Sequence, residues 1–278
     1  MTETLETAIW KETPSPDDPF QASHCYCHGY DVHEDLLPNA SWFEVLFLLL
    51  AGKRPTPAEA SLLERVAIIS MNPGTRDLGV RAAMNAGVGR APAGSVLVAA
   101  ISAGAGQFGG AREVSLAMRL WSENRGAASF DLSCPAEDER SEWPRLEHVP
   151  GFDPHARSAS AMVLTSIERL AEGSDGGFLV WLREHREALE AVAGAPVSMT
   201  GVLAAAYCEL GFSAAIAEYA SLILRLPGAA AHALEQRELG WRTFPFHSDV
   251  VRPQQPTPPQ HDLPDITAAV KEYVGDTK

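Results

Sequence analysis

Ser41-Trp42-Phe43-Glu44-Val45-Leu46-Phe47-Leu48-Leu49-Leu50-Ala51-Gly52 is the stretch that decides the fold class. It carries every signal of one helix. The Ser41 hydroxyl can accept from a free amide at the helix start while Glu44 reaches back, a reciprocal capping box. An apolar run over 45–50 follows, and Gly52 supplies a left-handed stop. Thr56-Pro57-Ala58-Glu59 then repeats the device, with proline at the first helical position. Its helix carries apolar residues from Leu62 to about Ile69 and ends at the turn Asn72-Pro73-Gly74.

Working outward, the spacing predicts a third helix over 76–86 and a fourth over 91–103. The fourth is almost entirely small and apolar, which predicts a helix buried all round and approached closely by another. Residues 104–110 read as a Gly-rich hinge or loop, and a fifth helix is expected over 111–122. Helical periodicity disappears between 126 and 154, where the charge run 137–142 reads as a solvated loop. It returns over 156–171 and 178–193. Ser198 or Thr200 can cap a helix ending at Gly211. The next runs to Leu226, is broken by Pro227-Gly228, and is followed by another to Gly240. Residues up to about Ser23 read as an irregular arm, and 245–264 as a Pro-rich extended segment before a short amphipathic helix. No stretch alternates convincingly between hairpin turns, so no strands are predicted. The expected fold class is all-α, about ten helices around a buried apolar central one.

Composition narrows the function. The chain has 278 residues, 46% of them hydrophobic, enough for one or two domains. Apolar stretches such as 45–51 fall far short of the roughly 20 residues of a membrane span. The acidic opening MTETLETAIWKE lacks the apolar region of a secretory signal, so a cytoplasmic protein is expected. Cys25, Cys27, Cys134 and Cys208 form no CxxC pair. Cys25-Tyr26-Cys27-His28 is spaced too tightly for a zinc knuckle, and the favoured reading is a buried segment with reduced thiols and no metal. A net charge of −14 argues against general nucleic-acid binding, and an anionic ligand would need a local cluster of Arg or Lys.

Several segments match one family in order. His28-Gly29-Tyr30-Asp31 with the helix ending at Gly52, Phe108-Gly109-Gly110-Ala111, Val149-Pro150-Gly151-Phe152 with Asp153-Pro154, and Arg225-Leu-Pro-Gly-Ala-Ala-Ala-His232 resemble signatures of the citrate synthase superfamily, in particular its short bacterial citrate synthase and citryl-CoA lyase-like members. The resemblance covers about 26–246. It implies a homodimer with a large helical domain at 1–107 and 202–278 and a smaller inserted helical domain at 108–201. The cleft between them would bind an acyl-CoA and an oxo acid.

Claisen condensation on a thioester needs a base for a weakly acidic α-proton, a donor for the enolate oxygen, and an acid for the oxo acid's carbonyl. The family uses one Asp and two or three His. Matched residue by residue, its positions fall at Pro73, Phe108 and Thr200, and the His after its Pro-Gly-Phe-Gly is deleted here. His155 stands where a substrate-carboxylate Arg would be. The resemblance thus leaves the catalytic residues unknown, with Asp77, Glu113 and His155 as candidate substitutes. Asp77 with His155 is one conceivable acid–base pair, and Arg76, Gln107 and Arg112 can line the cleft beside the lost positions. Arg225 matches the family's carboxylate-pairing Arg, and equally reads as a charge at a helix terminus. Val149, Pro150, Gly151 and Phe152 match the main-chain loop that cradles CoA. His232 reads as a satisfied core histidine.

Three functions follow. The first is a protein that binds CoA or an acyl-CoA and either senses it or catalyses a different reaction, without making citrate. The second is a non-catalytic structural or regulatory partner of an active relative. The third is an active citrate or methylcitrate synthase, or a citryl-CoA lyase-type acyltransferase, with relocated groups. No cofactor is expected beyond the CoA ester as ligand.

Overall fold

The structure, a computed structural model, describes residues 7–18, 20–133, 146–174 and 176–244. Cys134, the charge run at 137–142, the Pro-rich segment and the helix expected after it lie outside the described residues. The described residues up to Trp241 form one compact unit.

The described chain opens with strands, which corrects the strand-free expectation. β1 (Trp10–Pro14), β2 (Ala22–Cys27) and β3 (Tyr30–Asp31) form one antiparallel sheet in that order, with Trp10 opposite Cys27 and Cys27 opposite Tyr30. β1 is exposed along its whole length, so it never needed the apolar alternation that marks a half-buried strand. The turn between β2 and β3 is His28-Gly29, with φ of 47° and 86°. Positive φ at both central residues is the hairpin geometry that matches strand twist. Cys27 is buried with Leu36 and Leu48.

A short helical passage, Val32–Leu36 and α1 (Leu37–Asn39), leads to α2 (Trp42–Ala51) and α3 (Pro57–Ser70). Both capping boxes form. Ser41 N–H donates to Glu44 at 2.7 Å and Thr56 N–H to Glu59 at 2.7 Å, while each hydroxyl accepts from the glutamate's own amide. Gly52 closes α2 at φ 72°. Then come α4 (Leu78–Val88), α5 (Ala93–Gly104), α6 (Ala111–Asn124), α7 (Ala161–Ala171), α8 (Phe178–Ala193), α9 (Met199–Glu209) and α10 (Ala214–Leu239).

The central buried helix is α9, in which every residue from Thr200 to Tyr207 is buried. The expectation that 91–103 would be buried all round is corrected: α5 buries Val96, Ala100 and Gly104, while Val98 is 62% exposed. Composition alone does not distinguish a helix enclosed by its own chain from one with an apolar outer face. The close approach expected of small residues is real. A Cβ on Gly79 would lie 2.8 Å from the Ala100 carbonyl, and one on Gly87 2.4 Å from that of Ala233, so α4 touches α5 and α10 almost backbone to backbone.

The break expected at Pro227-Gly228 is also corrected, because α10 runs straight through it. Pro227 has no N–H to give, and the Gly228 N–H leaves the helix to donate to the Met71 carbonyl at 2.7 Å. A Cβ on Gly228 would lie 2.3 Å from that oxygen. The Asn72-Pro73-Gly74 turn therefore docks on the helix at its weakest point, and tertiary packing carries the helix across the proline.

Candidate active site

Glu113 lies in the first turn of α6 and is 2% exposed. A buried carboxylate must be fully partnered, and this one draws three segments together. Its Oε1 accepts from the Thr200 hydroxyl at 2.7 Å and the Gly151 N–H at 3.0 Å, and its Oε2 accepts from the Gly109 N–H at 2.5 Å. The Gly-rich turn, the Val149–Phe152 loop and the start of α9 are thus tied to one side chain. The Thr200 proton is spent on Glu113, so the 2.7 Å contact between Thr200 and Ser198 has Ser198 as donor. Thr200 is left as a link in a chain of hydroxyls ending at a carboxylate.

The Gly151 carbonyl accepts from Ser198 N–H at 2.9 Å, and Phe152 is buried edge-on against Trp121. Gly151 sits at φ 88°, where a Cβ would meet Ala117 and Gly201 at 3.1 Å. Both backbone polar groups of Gly151 are therefore engaged within the protein. Val149 remains half-buried at the edge.

Phe108 is 47% exposed and lies between two imidazoles. His148 meets it edge-on at 5.3 Å between ring centroids and His155 at 5.6 Å. His155 is exposed, and its amide donates to Asp153. The His148 side chain is only 8% exposed, and its Nε2 lies 3.5 Å from Glu113 Oε1. That nitrogen is buried and makes no aligned hydrogen bond. His148 was missed by sequence reasoning. Its one local signal is its place immediately before the Val149–Phe152 motif, in a segment without periodicity.

On the other side of the Gly-rich turn, Arg225 Nη1 donates to the Gly109 carbonyl at 2.8 Å and lies 3.5 Å from Asp77 Oδ2. Asp77 also caps α4 through the Val80 amide. Gly109 is thereby held by a carboxylate on its N–H and a guanidinium on its C=O. Asp77 and Arg225 line a crevice with Val80, Ile101 and Leu222 that has ≈ 10 Å³ of room, about one water molecule. Asp77 and His155 thus have separate partners. Pro73 is exposed, on a turn held to α10 by Asn72, whose Oδ1 lies 3.1 Å from His232 Nε2. Arg112 pairs with Glu218 at 3.3 Å, and Gln107 Nε2 is buried without a hydrogen bond.

Below Arg225, the Tyr207 phenol is fully enclosed. Burial pushes its pKa up to about 12, against the opposing pull of Ser221 and Arg225. Burial likewise raises the Cys208 thiol to about 11. Among the described residues no three His, Cys, Asp or Glu side chains converge as a metal site requires, and no described helix is long and apolar enough to cross a membrane.

No protein-family model and no curated protein matches the chain. Solved structures do. The citryl-CoA lyase of Hydrogenobacter thermophilus superposes with a TM-score of 0.71 at 19% identity, over 96% of this chain and 100% of that one. The ATP citrate lyase of Methanothrix soehngenii, solved with citrate and coenzyme A, gives 0.70 at 16% identity over 92% of this chain, which spans 42% of the lyase. The citrate synthase of Thermoplasma acidophilum, solved with carboxymethyl coenzyme A and oxaloacetate, gives 0.52 at 17% over 83% of this chain and 61% of that one. The chain has the citrate synthase-like fold.

Proposed function

We propose that this protein binds CoA or an acyl-CoA and does not form citrate from acetyl-CoA and oxaloacetate at an enzymatic rate. The fold likeness supports the first half, since two of the similar structures hold coenzyme A or a derivative of it. The observation that carries the second half is the tie around Glu113. The hydroxyl at Thr200 gives its proton to a carboxylate, and the side chain at Phe108 is a phenyl ring with nothing to donate to an enolate. On this reading 108–201 is the smaller domain set into 1–107 and 202–278, Val149–Phe152 shapes the edge of the CoA site, and Arg225 faces a substrate carboxylate once the crevice beside it opens. The protein is a cytoplasmic homodimer.

Titration calorimetry with CoA, acetyl-CoA and propionyl-CoA tests binding. The expected affinity is micromolar to millimolar, about −8 to −4 kcal/mol, because a net charge of −14 opposes a polyanionic ligand. No heat with any of the three overturns the reading. A thiol-release assay with acetyl-CoA and oxaloacetate tests the second half, and turnover of about 1 per second or more overturns it.

A further inference from the structure

We propose that His148, backed by Glu113, is the acid–base side chain of this site and takes the α-proton of a CoA thioester. The inference rests on the CoA-ester reading above, and it names a residue that stands at none of the positions matched to the family's catalytic groups. Three observations carry it. The His148 side chain is 8% exposed, yet its buried Nε2 has no hydrogen bond, and the group 3.5 Å away is the Glu113 carboxylate. With Nε2 turned toward the carboxylate, Nδ1 is the ring nitrogen left to meet a substrate. The ring also abuts Phe108, a half-exposed side chain of the Gly-rich turn.

Glu113 is the positioning residue. Its hydrogen bonds to Thr200, Gly151 and Gly109 hold the carboxylate in one place, so it serves as a fixed orienting partner. The step balances without a co-reactant. Nδ1 takes a proton from the carbon α to the thioester carbonyl, the C–H electron pair forms the C=C bond of the enolate, and the carbonyl π pair moves to oxygen. The reverse step delivers a proton exchanged with solvent to the same carbon and regenerates the thioester. Nothing is oxidised or reduced.

The test is exchange of the acetyl-CoA methyl protons in D2O, followed by proton NMR on the full chain, beside calorimetric titration of the same samples with acetyl-CoA. The wild type is expected to exchange faster than buffer. His148→Gln is expected to lose about a hundredfold or more while keeping the binding heat. This variant leaves the three hydrogen bonds of Glu113 in place, so the fold is expected to survive. Glu113→Gln, which also weakens the tie to Gly151, is expected to lower the maximal exchange rate by a larger factor than it raises the half-saturating acetyl-CoA concentration. Binding without exchange above buffer in the wild type overturns the inference and leaves the CoA reading standing. Exchange by His148→Gln at the wild-type rate also overturns it. No binding at all overturns the CoA reading and the inference with it.

Discussion

At Gly109 the backbone of a single residue meets two charges, Glu113 on its N–H and Arg225 on its carbonyl. The residue sits at φ 67° with nothing within 4 Å of an added Cβ. Gly109→Ala therefore isolates the cost of the left-handed conformation, about 1–2 kcal/mol. Gly151→Ala adds contacts at 3.1 Å with Ala117 and Gly201 and is expected to cost more, as compared by urea denaturation of both variants. Equal losses would mean that the Val149–Phe152 loop yields freely. The thiols give a second expectation at this scale. Burial holds Cys208 protonated far above neutral pH, whereas Cys25 is half-buried. Thiol labelling of the native protein near pH 8, read by peptide mass, is expected to modify Cys25 before Cys208, and faster labelling of Cys208 would show that α9 opens. The sequence put Glu113, Thr200 and Gly151 among the candidate residues, but not their shared hydrogen bonds. It gave no reason to choose His148, whose significance comes from Phe108 and Glu113, 40 and 35 positions away in the chain.

At the scale of elements, α2 and α3 were legible nearly to the residue because their start and stop signals are local and reciprocal. Ser41→Ala and Thr56→Ala are each expected to cost about 1 kcal/mol. Acid should act on the same boxes. Hydrogen bonds from the Ser41 amide and hydroxyl hold Glu44 below its ordinary value of 4.5. At Glu59 burial pushes upward, but the Thr56 amide and hydroxyl and Lys53 outweigh it. A carboxylate whose pKa is depressed by folding stabilises the fold above its unfolded value and loses that contribution as pH falls through its folded value. Thermal melts are thus expected to show both caps weakening below about pH 4.5, with a shallower decline in a Glu44→Gln, Glu59→Gln double variant. An identical acid profile in that variant would remove the caps from the acid response. α10 was misread because its proline is a local stop signal overruled by a distant partner: the Met71 carbonyl takes up the Gly228 N–H.

For the whole molecule, apolar side chains remain exposed on α5, at Val98 and Ile101, and on α10, at Tyr219 and Ile223. A homodimer that covers them is the expected state, and equilibrium sedimentation at micromolar concentration is expected to show it. Val98→Asp is expected to shift the protein toward monomer without lowering helix content. A wild type that sediments as a monomer would overturn the dimer.

The sequence by itself determined that the chain is helical and where most of the helices lie. Those are properties of neighbours in the chain: caps, turn residues and a period of 3.6. Only the tertiary structure decided that α9 is the enclosed helix, that the N-terminal segment is a ribbon, that α10 survives its proline, and that Glu113 joins three loops beside His148. Each of these depends on groups brought together across long stretches of chain, where burial leaves a carboxylate, an amide or a carbonyl only those partners that packing supplies.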